Sequence, residues 1–273
     1  MIDLKSISKI YGQKKVVNDV SVSIAKGKVT SFIGPNGAGK STLLSMVTRL
    51  LDQDSGDVLL EGENILQAPS DKLAKKIAIL KQSNNLDLKI TVRELISFGR
   101  FPYSRGRLTQ KDHEIIDEAI SYMELEQFEE RYIDELSGGQ RQRVYIAMTI
   151  AQDTEYIFLD EPLNNLDMKH SVQIMQILRR LVRERNKTII IVIHDINFAS
   201  CYSDNIVAMK DGEVVISGSK DDVIRKEILE DIYEMDINIE CIYGQQICVY
   251  FDEHQDASVD DFIEDQAQVQ IRA

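Results

Sequence analysis

Cysteine is scarce in this sequence. The 273 residues hold three, Cys201, Cys241 and Cys248, an odd number with no two at C-x-x-C spacing. A disulfide framework and a cysteine zinc site are both poor readings of such a set. Long hydrophobic runs are missing as well. The longest apolar stretch, residues 189–193, is far too short to span a bilayer. The opening residues, MIDLKSISKIYG, lack the apolar core of a signal peptide. The chain is therefore expected to stay in the cytoplasm and to reach a membrane only through a partner. There is no basic excess either. Net charge is −13, and residues 221–265 carry 15 acids against 2 bases, so the rest of the chain is neutral. A nucleic-acid binder would show a basic face, so this balance argues against one. No internal repeat and no heptad run is apparent.

What remains is ordinary globular composition, 43% hydrophobic and 28% charged, in a chain long enough to bury one large core. Short β-branched runs recur at residues 16–24, 29–33, 77–80, 156–159, 188–193 and 205–209. Helical patterns lie between several of them: residues 40–51 after the second run, and the stripe Val172, Met175, Leu178, Val182 before the fifth. Continuous apolar strands alternating with helices predict a parallel sheet covered on both faces. The N-terminal stretch to Ile24 and the run 57–60 look more like an antiparallel edge. Lys210-Asp211-Gly212-Glu213 reads as a hairpin turn. Residues 84–153 break the rhythm. Thr91 and Thr109 each stand before a helical pattern, which predicts a helical subdomain inserted into the α/β core. Residues 221–234 give one last helix, and 251–273 read as an acidic, mobile tail, solvated and repelled by anionic lipid.

Two segments carry chemistry. Gly34-Pro35-Asn36-Gly37-Ala38-Gly39-Lys40-Ser41-Thr42 fits G-x-x-x-x-G-K-[ST] between a strand and a helix. Glycines there let backbone N–H groups turn toward phosphate oxygens, and the helix N-terminus adds positive potential. Lys40 is expected on the β- and γ-phosphates of ATP, and the Ser41 hydroxyl on Mg²⁺. The second segment, Asp160-Glu161, ends the apolar run 156–159. Carboxylates at the C-terminal end of a parallel strand face the crevice where nucleotides bind. Asp160 is the expected Mg²⁺ partner, and Glu161 is placed to orient or deprotonate the attacking water. The bland alternatives are a Gly-rich turn and an Asp-Glu-Pro turn.

A third segment needs explaining. Leu136-Ser137-Gly138-Gly139-Gln140 precedes a helical run, and Ser137 is a good N-cap. Two glycines and a serine at a helix start also make an anion site, although Lys40 already serves the phosphates. LSGGQRQR, with GPNGAGKST, FLDEP and a His after an apolar strand, resembles the nucleotide-binding subunit of an ABC transporter. The resemblance covers residues 2–250, the expected ATPase domain. It implies a P-loop NTPase core with a mixed sheet, an N-terminal antiparallel β subdomain and the helical insertion. It implies that Ser137, Gly138, Gly139 and Gln140 cap the γ-phosphate of ATP held by a second copy of the chain. It places Tyr11 against adenine, Gln82 on Mg²⁺ and the attacking water, His194 on the γ-phosphate, and Asp167 at the dimer interface. Asn164 and Asn165 depart from the commoner Ser-Ala wording of that interface loop.

LDEPLNNLDMKHS and TVRELISFGRFPYSRG look most like the ATPase subunits of bacterial ferric-siderophore importers, a group shared with vitamin B12 and haem importers. The implied partners are a membrane permease, contacted near Gln82 with Arg100, Phe101 and Tyr103 as candidates, and an extracytoplasmic substrate-binding protein. The implied location is the cytoplasmic face of the membrane. A soluble ATPase of the same superfamily, acting on ribosomes or DNA, is the alternative. Members of that kind carry two cassettes or long coiled coils, and this chain has neither.

Overall fold

A computed structural model describes residues 1–81, 89–164 and 166–251. The chain opens with two long antiparallel strands, β1 (Ile2–Tyr11) and β2 (Lys14–Ile24), and then enters β3 (Val29–Ile33). The phosphate loop leads into α1 (Lys40–Val47). Next come β4 (Ser55–Leu60), β5 (Glu63–Asn64), α2 (Ser70–Lys76) and β6 (Ile77–Leu80). The helical insertion follows: α3 (Val92–Ser97), α4 (Phe101–Ser104), α5 (Gln110–Tyr122) and α6 (Gly138–Ala151). The chain returns through β7 (Tyr156–Asp160), α7 (Met168–Arg185), β8 (Thr188–Val192), α8 (Ile196–Tyr202), β9 (Asn205–Lys210) and β10 (Glu213–Ser219). It finishes with α9 (Lys220–Val223), α10 (Lys226–Tyr233), β11 (Asn238–Ile242) and β12 (Gln245–Val249).

The central sheet has the order β10-β9-β3-β8-β7-β6, and only the β10–β9 pair in it is antiparallel. A separate antiparallel sheet runs β2-β1-β4-β5. The predicted hairpin turn is present. Asp211 and Gly212 both take left-handed backbone, as a two-residue turn matching strand twist requires.

The apolar strands are continuous because each serves two cores. In β8, Ile189 and Ile191 pack into the core formed with the helical insertion, whereas Ile190 and Val192 pack into the core under the antiparallel sheet. β7 divides the same way, Ile157 and Leu159 on one face, Tyr156 and Phe158 on the other. With a side-chain period of two, no position is left to face water. Each fully buried Ile or Leu contributes roughly 1.5–3 kcal/mol. A third core lies under α10 and β12, where Leu229, Ile232 and Cys248 meet Ile33 and Ala208.

The insertion is organised by its helix starts. Thr91 and Glu94 form a reciprocal cap on α3, and Thr109 and Asp112 form one on α5. Asp112 has a second role. Its Oδ1 accepts a 2.8 Å hydrogen bond from Nε of Arg100, whose Nη1 donates to the Ala151 carbonyl at 2.9 Å. One buried guanidinium thus joins the α3–α4 junction, α5 and the end of α6.

Several expectations are corrected. Arg100 is not on the surface, where a contact residue would have to be. It is 4% exposed, because its charge is committed to Asp112, while Phe101 and Tyr103 are 60% and 39% exposed. The first helix ends at Val47 rather than residue 51: the Thr48 hydroxyl donates back to the Leu44 carbonyl, and Arg49 turns left-handed. Residues 220–233 are two helices, separated where Ile224 leaves helical backbone. They are not the last elements, since the β11–β12 hairpin packs on α8 through Asn197, which accepts from Cys248 N–H and donates to its carbonyl. The segment 252–273 lies outside the described residues.

Arg100→Ala should cost about 3–5 kcal/mol in urea unfolding, since it strands a buried carboxylate; Phe101→Ala should stay within about 1 kcal/mol. The Asp112 carboxyl is held down to about 2, from 3.8, by the hydrogen bonds from Thr109 and by Arg100. A carboxyl lowered on folding stabilises above its unfolded pKa and loses that contribution as pH falls through the folded one. The stability difference between the parent and Asp112→Asn should therefore be full above pH 4 and shrink toward pH 2, in urea titrations at each pH.

Candidate active site

The site is assembled at the C-terminal ends of β3, β7 and β8. β3 delivers the phosphate loop. Gly34, Gly37 and Gly39 all have positive φ, at 136°, 83° and 94°. A Cβ on Gly34 would stand 2.0 Å from the Met209 carbonyl oxygen, and one on Gly39 2.5 Å from that of Val16. These two glycines let the loop pass between β9 and β2. Gly37 differs, because nothing lies within 4 Å of where its Cβ would be. The space beside it is the cradle. The hairpin turn braces the loop from behind: Gly212 N–H donates to the Ala38 carbonyl at 3.2 Å, and Asn18 N–H to the Gly212 carbonyl at 2.8 Å.

Lys40 begins α1 and is buried, its ammonium donating to the carbonyls of Gly34 and Pro35 at 2.8 and 2.9 Å. Burial lowers its pKa, opposed by the charges of Glu161 and Asp160. The next residue, Ser41, donates its hydroxyl to Asp160 Oδ1 at 2.8 Å. Burial raises the Asp160 pKa, opposed by this hydrogen bond. A desolvated cation and a desolvated carboxylate thus flank one hydroxyl, a donor set that fits a phosphate with a divalent cation.

Glu161 follows on left-handed backbone with φ 50°. Its Oε1 is 2.6 Å from His194 Nε2, and its Oε2 accepts from Asn164 Nδ2 at 2.6 Å. His194 is two residues beyond β8 and exposed. A cavity of about 160 Å³ unites Val16, Asn36, Gly37, Gly39, Lys40, Ser41, Thr42, Glu161 and His194. Small-molecule sites run about 300–1,000 Å³, so this open cleft is of a size to hold phosphates and would enclose only part of a nucleotide.

The remaining expected residues stand elsewhere. Tyr11 ends β1 half-exposed, with the Lys9 ammonium 5.7 Å from its ring centre, and does not line the cavity. Ser137 caps α6. It accepts from Gln140 N–H at 3.3 Å, and Gln140 Oε1 accepts from Ser137 N–H at 3.0 Å. Among the described residues, no hydrogen bond joins Ser137, Gly138, Gly139 or Gln140 to the phosphate loop. Asp167 caps α7 by accepting from His170 N–H at 2.8 Å, which lowers its pKa. Gln82 and Asn165 lie outside the described residues.

Three contacts had no signal in the sequence. Asn164 holds the second oxygen of Glu161. Gln142, on α6, donates to the Pro162 carbonyl at 3.0 Å and so ties the Ser137 helix to the Glu161 loop. The half-buried Tyr233 accepts through its hydroxyl from Gly34 N–H at 3.0 Å, a pairing across 199 residues.

A strand, a glycine cradle, a lysine at a helix start and a carboxylate pair on the neighbouring strand define a P-loop nucleotide-binding ATPase. Residues 17–164 match the family model for ABC transporters. The chain is 58% identical to the petrobactin import ATP-binding protein YclP of Bacillus subtilis (strain 168) over 251 residues, 92% of this chain and 100% of that one. It is 43% identical to the iron(3+)-hydroxamate import ATP-binding protein FhuC of the same organism, over 84% of this chain and 86% of that one. Among solved structures, the dimeric structure of MJ0796, a bacterial ABC transporter cassette, superposes with a TM-score of 0.73 at 33% identity, over 81% of this chain and 99% of that one. The chain belongs to the ABC transporter family, as an ATP-binding, ATP-hydrolysing cassette. No helix among the described residues is long and apolar enough to cross a membrane.

Gly34→Ala should lose more than about 2 kcal/mol in chemical unfolding, from contact with Met209 and backbone strain together. Gly37→Ala should unfold within about 1–2 kcal/mol of the parent, the cost of φ alone, yet bind a fluorescent ATP analogue at least about tenfold more weakly, because the new methyl enters the cradle.

Proposed function

We propose that this chain powers the import of an iron–siderophore complex through a membrane permease. The ATPase unit spans residues 2–250. The observation that carries the cargo is the 58% identity to a petrobactin import subunit across that relative's whole length, supported by the iron(3+)-hydroxamate relative. Petrobactin is the first cargo to test. The permease is joined in this reading by an extracytoplasmic substrate-binding protein, and the chain sits at the cytoplasmic face of the membrane.

The mechanism follows from the half-site. The phosphate cleft would enclose only part of a nucleotide and the Ser137 helix start stands apart from it. Two copies pairing head to tail resolve both features: each ATP lies between Gly34–Thr42 of one and Ser137–Gln140 of the other, with Tyr11 offering its exposed ring to adenine. Ser41, Asp160 and Gln82 would hold Mg²⁺, which when bound neutralises charge on the β- and γ-phosphates. Lys40 leaves the Gly34 and Pro35 carbonyls for phosphate oxygens. Glu161 takes a proton from the attacking water, while His194, beside its Oε1, contacts the γ-phosphate. Asp167 lies where the copies meet. Closure reaches the permease through the segment at Gln82, with Phe101 and Tyr103 as the exposed contacts.

Glu161→Gln should keep ATP affinity within about twofold, lower turnover by about 10²–10⁴-fold, and elute with ATP as a stable dimer in size-exclusion chromatography. Unchanged turnover would refute the role of Glu161. For cargo, deletion of the gene should abolish growth on ferric petrobactin as the iron source; a loss confined to hydroxamates, haem or vitamin B12 would reassign it.

A further inference from the structure

We propose that a basic groove at the far edge of the central sheet is the docking site for the chain's own acidic C-terminal segment, residues 252–273. The groove has a volume of about 750 Å³. Lys28 stands just before β3 and Asn205 opens β9, so both strands begin there. The phosphate loop leaves the other end of β3, about 17 Å away for a five-residue strand. The groove is thus separate from the ATP site, and its occupancy is independent of which cargo is carried.

Its charge runs against that of the chain. Five basic side chains line it: Lys28, Arg179, Arg180 and Arg183 with Lys220, from three separate parts of the sequence. Three acids line it as well. One of them, Asp204, is already committed, bonded to Arg179 at 2.7 Å and to Val29 N–H at 2.8 Å. Lys220 is half-buried and, among the described residues, donates only to neutral oxygens, the Ser200 carbonyl at 3.2 Å and Gln245 Oε1 at 3.3 Å. Among the described residues, neither Lys28 nor Arg183 forms an ion pair. This cationic surplus persists in a chain of net charge −13.

The matching anion is in the same chain. Residues 252–273 hold seven acids, Asp252, Glu253, Asp256, Asp260, Asp261, Glu264 and Asp265, against one base, Arg272. Their attachment point is close. Gln245 lines the groove, and Phe251 is six residues beyond it, at most about 20 Å away. Twenty-two residues reach up to about 70 Å when extended, so the segment can return to the groove. A tethered partner at this range acts at an effective concentration on the order of millimolar. Even a weak multivalent contact is then populated, whereas a free polyanion would need an affinity of its own against the repulsion of the whole chain.

The test is hydrogen exchange by mass spectrometry on the full chain and on Lys28→Glu/Arg183→Glu, two exposed positions whose exchange is not needed for folding; circular dichroism checks that. At low salt, amides within 252–273 should exchange at least about threefold more slowly in the parent than in the double variant, and the difference should vanish in about 0.5 M salt, where screening falls to roughly 4 Å. Adding Asp260→Lys/Asp261→Lys to the double variant should restore slow exchange by reversing both partners. Equal exchange in parent and double variant at low salt would overturn the proposal. So would protection that survives the double variant, which places the segment elsewhere, or protection that grows with protein concentration, which places it on a second copy.

Discussion

The hydrogen bond from the Ser41 hydroxyl to Asp160 joins residues 119 apart in sequence. It is the point where the first helix after the phosphate loop meets the last residue of a fully buried strand. Everything at the site is placed relative to it. Lys40 precedes Ser41 and Glu161 follows Asp160, so the cation and the second carboxylate are one residue from the bonded pair. Neither Lys40 nor Asp160 is in water, and each is pushed toward its neutral form. A phosphate and a divalent cation arriving together would relieve both at once, since each supplies the charge that one of them lacks.

Much of this was legible beforehand. The glycine loop, the carboxylate pair at a strand end and the two helix caps at Thr91 and Thr109 are local patterns, written in residues a few positions apart. The continuous apolar strands disclosed a sheet covered on both faces. What escaped was long-range. Arg100 looked like surface beside two aromatics, and only the arrival of Asp112 and the Ala151 carbonyl makes it a buried tie. Tyr233 and Gly34 share a hydrogen bond that no periodicity announces. Asn164 appeared as a departure from a common wording, whereas its amide clasps Glu161. The β11–β12 hairpin was missed because its strands are short, β11 mostly exposed and β12 mostly half-buried.

The loop after Glu161 has two attachments with different consequences. Asn164 reaches back to the carboxylate and the Pro162 carbonyl receives Gln142 from α6. The proposed water-activating group is therefore linked, within one copy, to the helix proposed to grip the other copy's ATP. A pull on α6 reaches Glu161 through two hydrogen bonds and no flexible linker. This is a short path for making hydrolysis depend on pairing.

The double-faced strands have a further consequence. A strand apolar on both sides gains little from one alignment over another, since a slip by one residue swaps Ile189 and Ile191 with Ile190 and Val192 at almost no cost in hydrophobicity. Alignment must be set by polar groups at the strand ends. At the edge away from the phosphates, the Thr188 hydroxyl accepts from Gly27 N–H at 2.9 Å, and the Asp204 carboxylate accepts from Val29 N–H. These side chains act as a ruler for β8, β9 and β3. The positions of Asp160 and His194 at one edge of the sheet are measured out from the other.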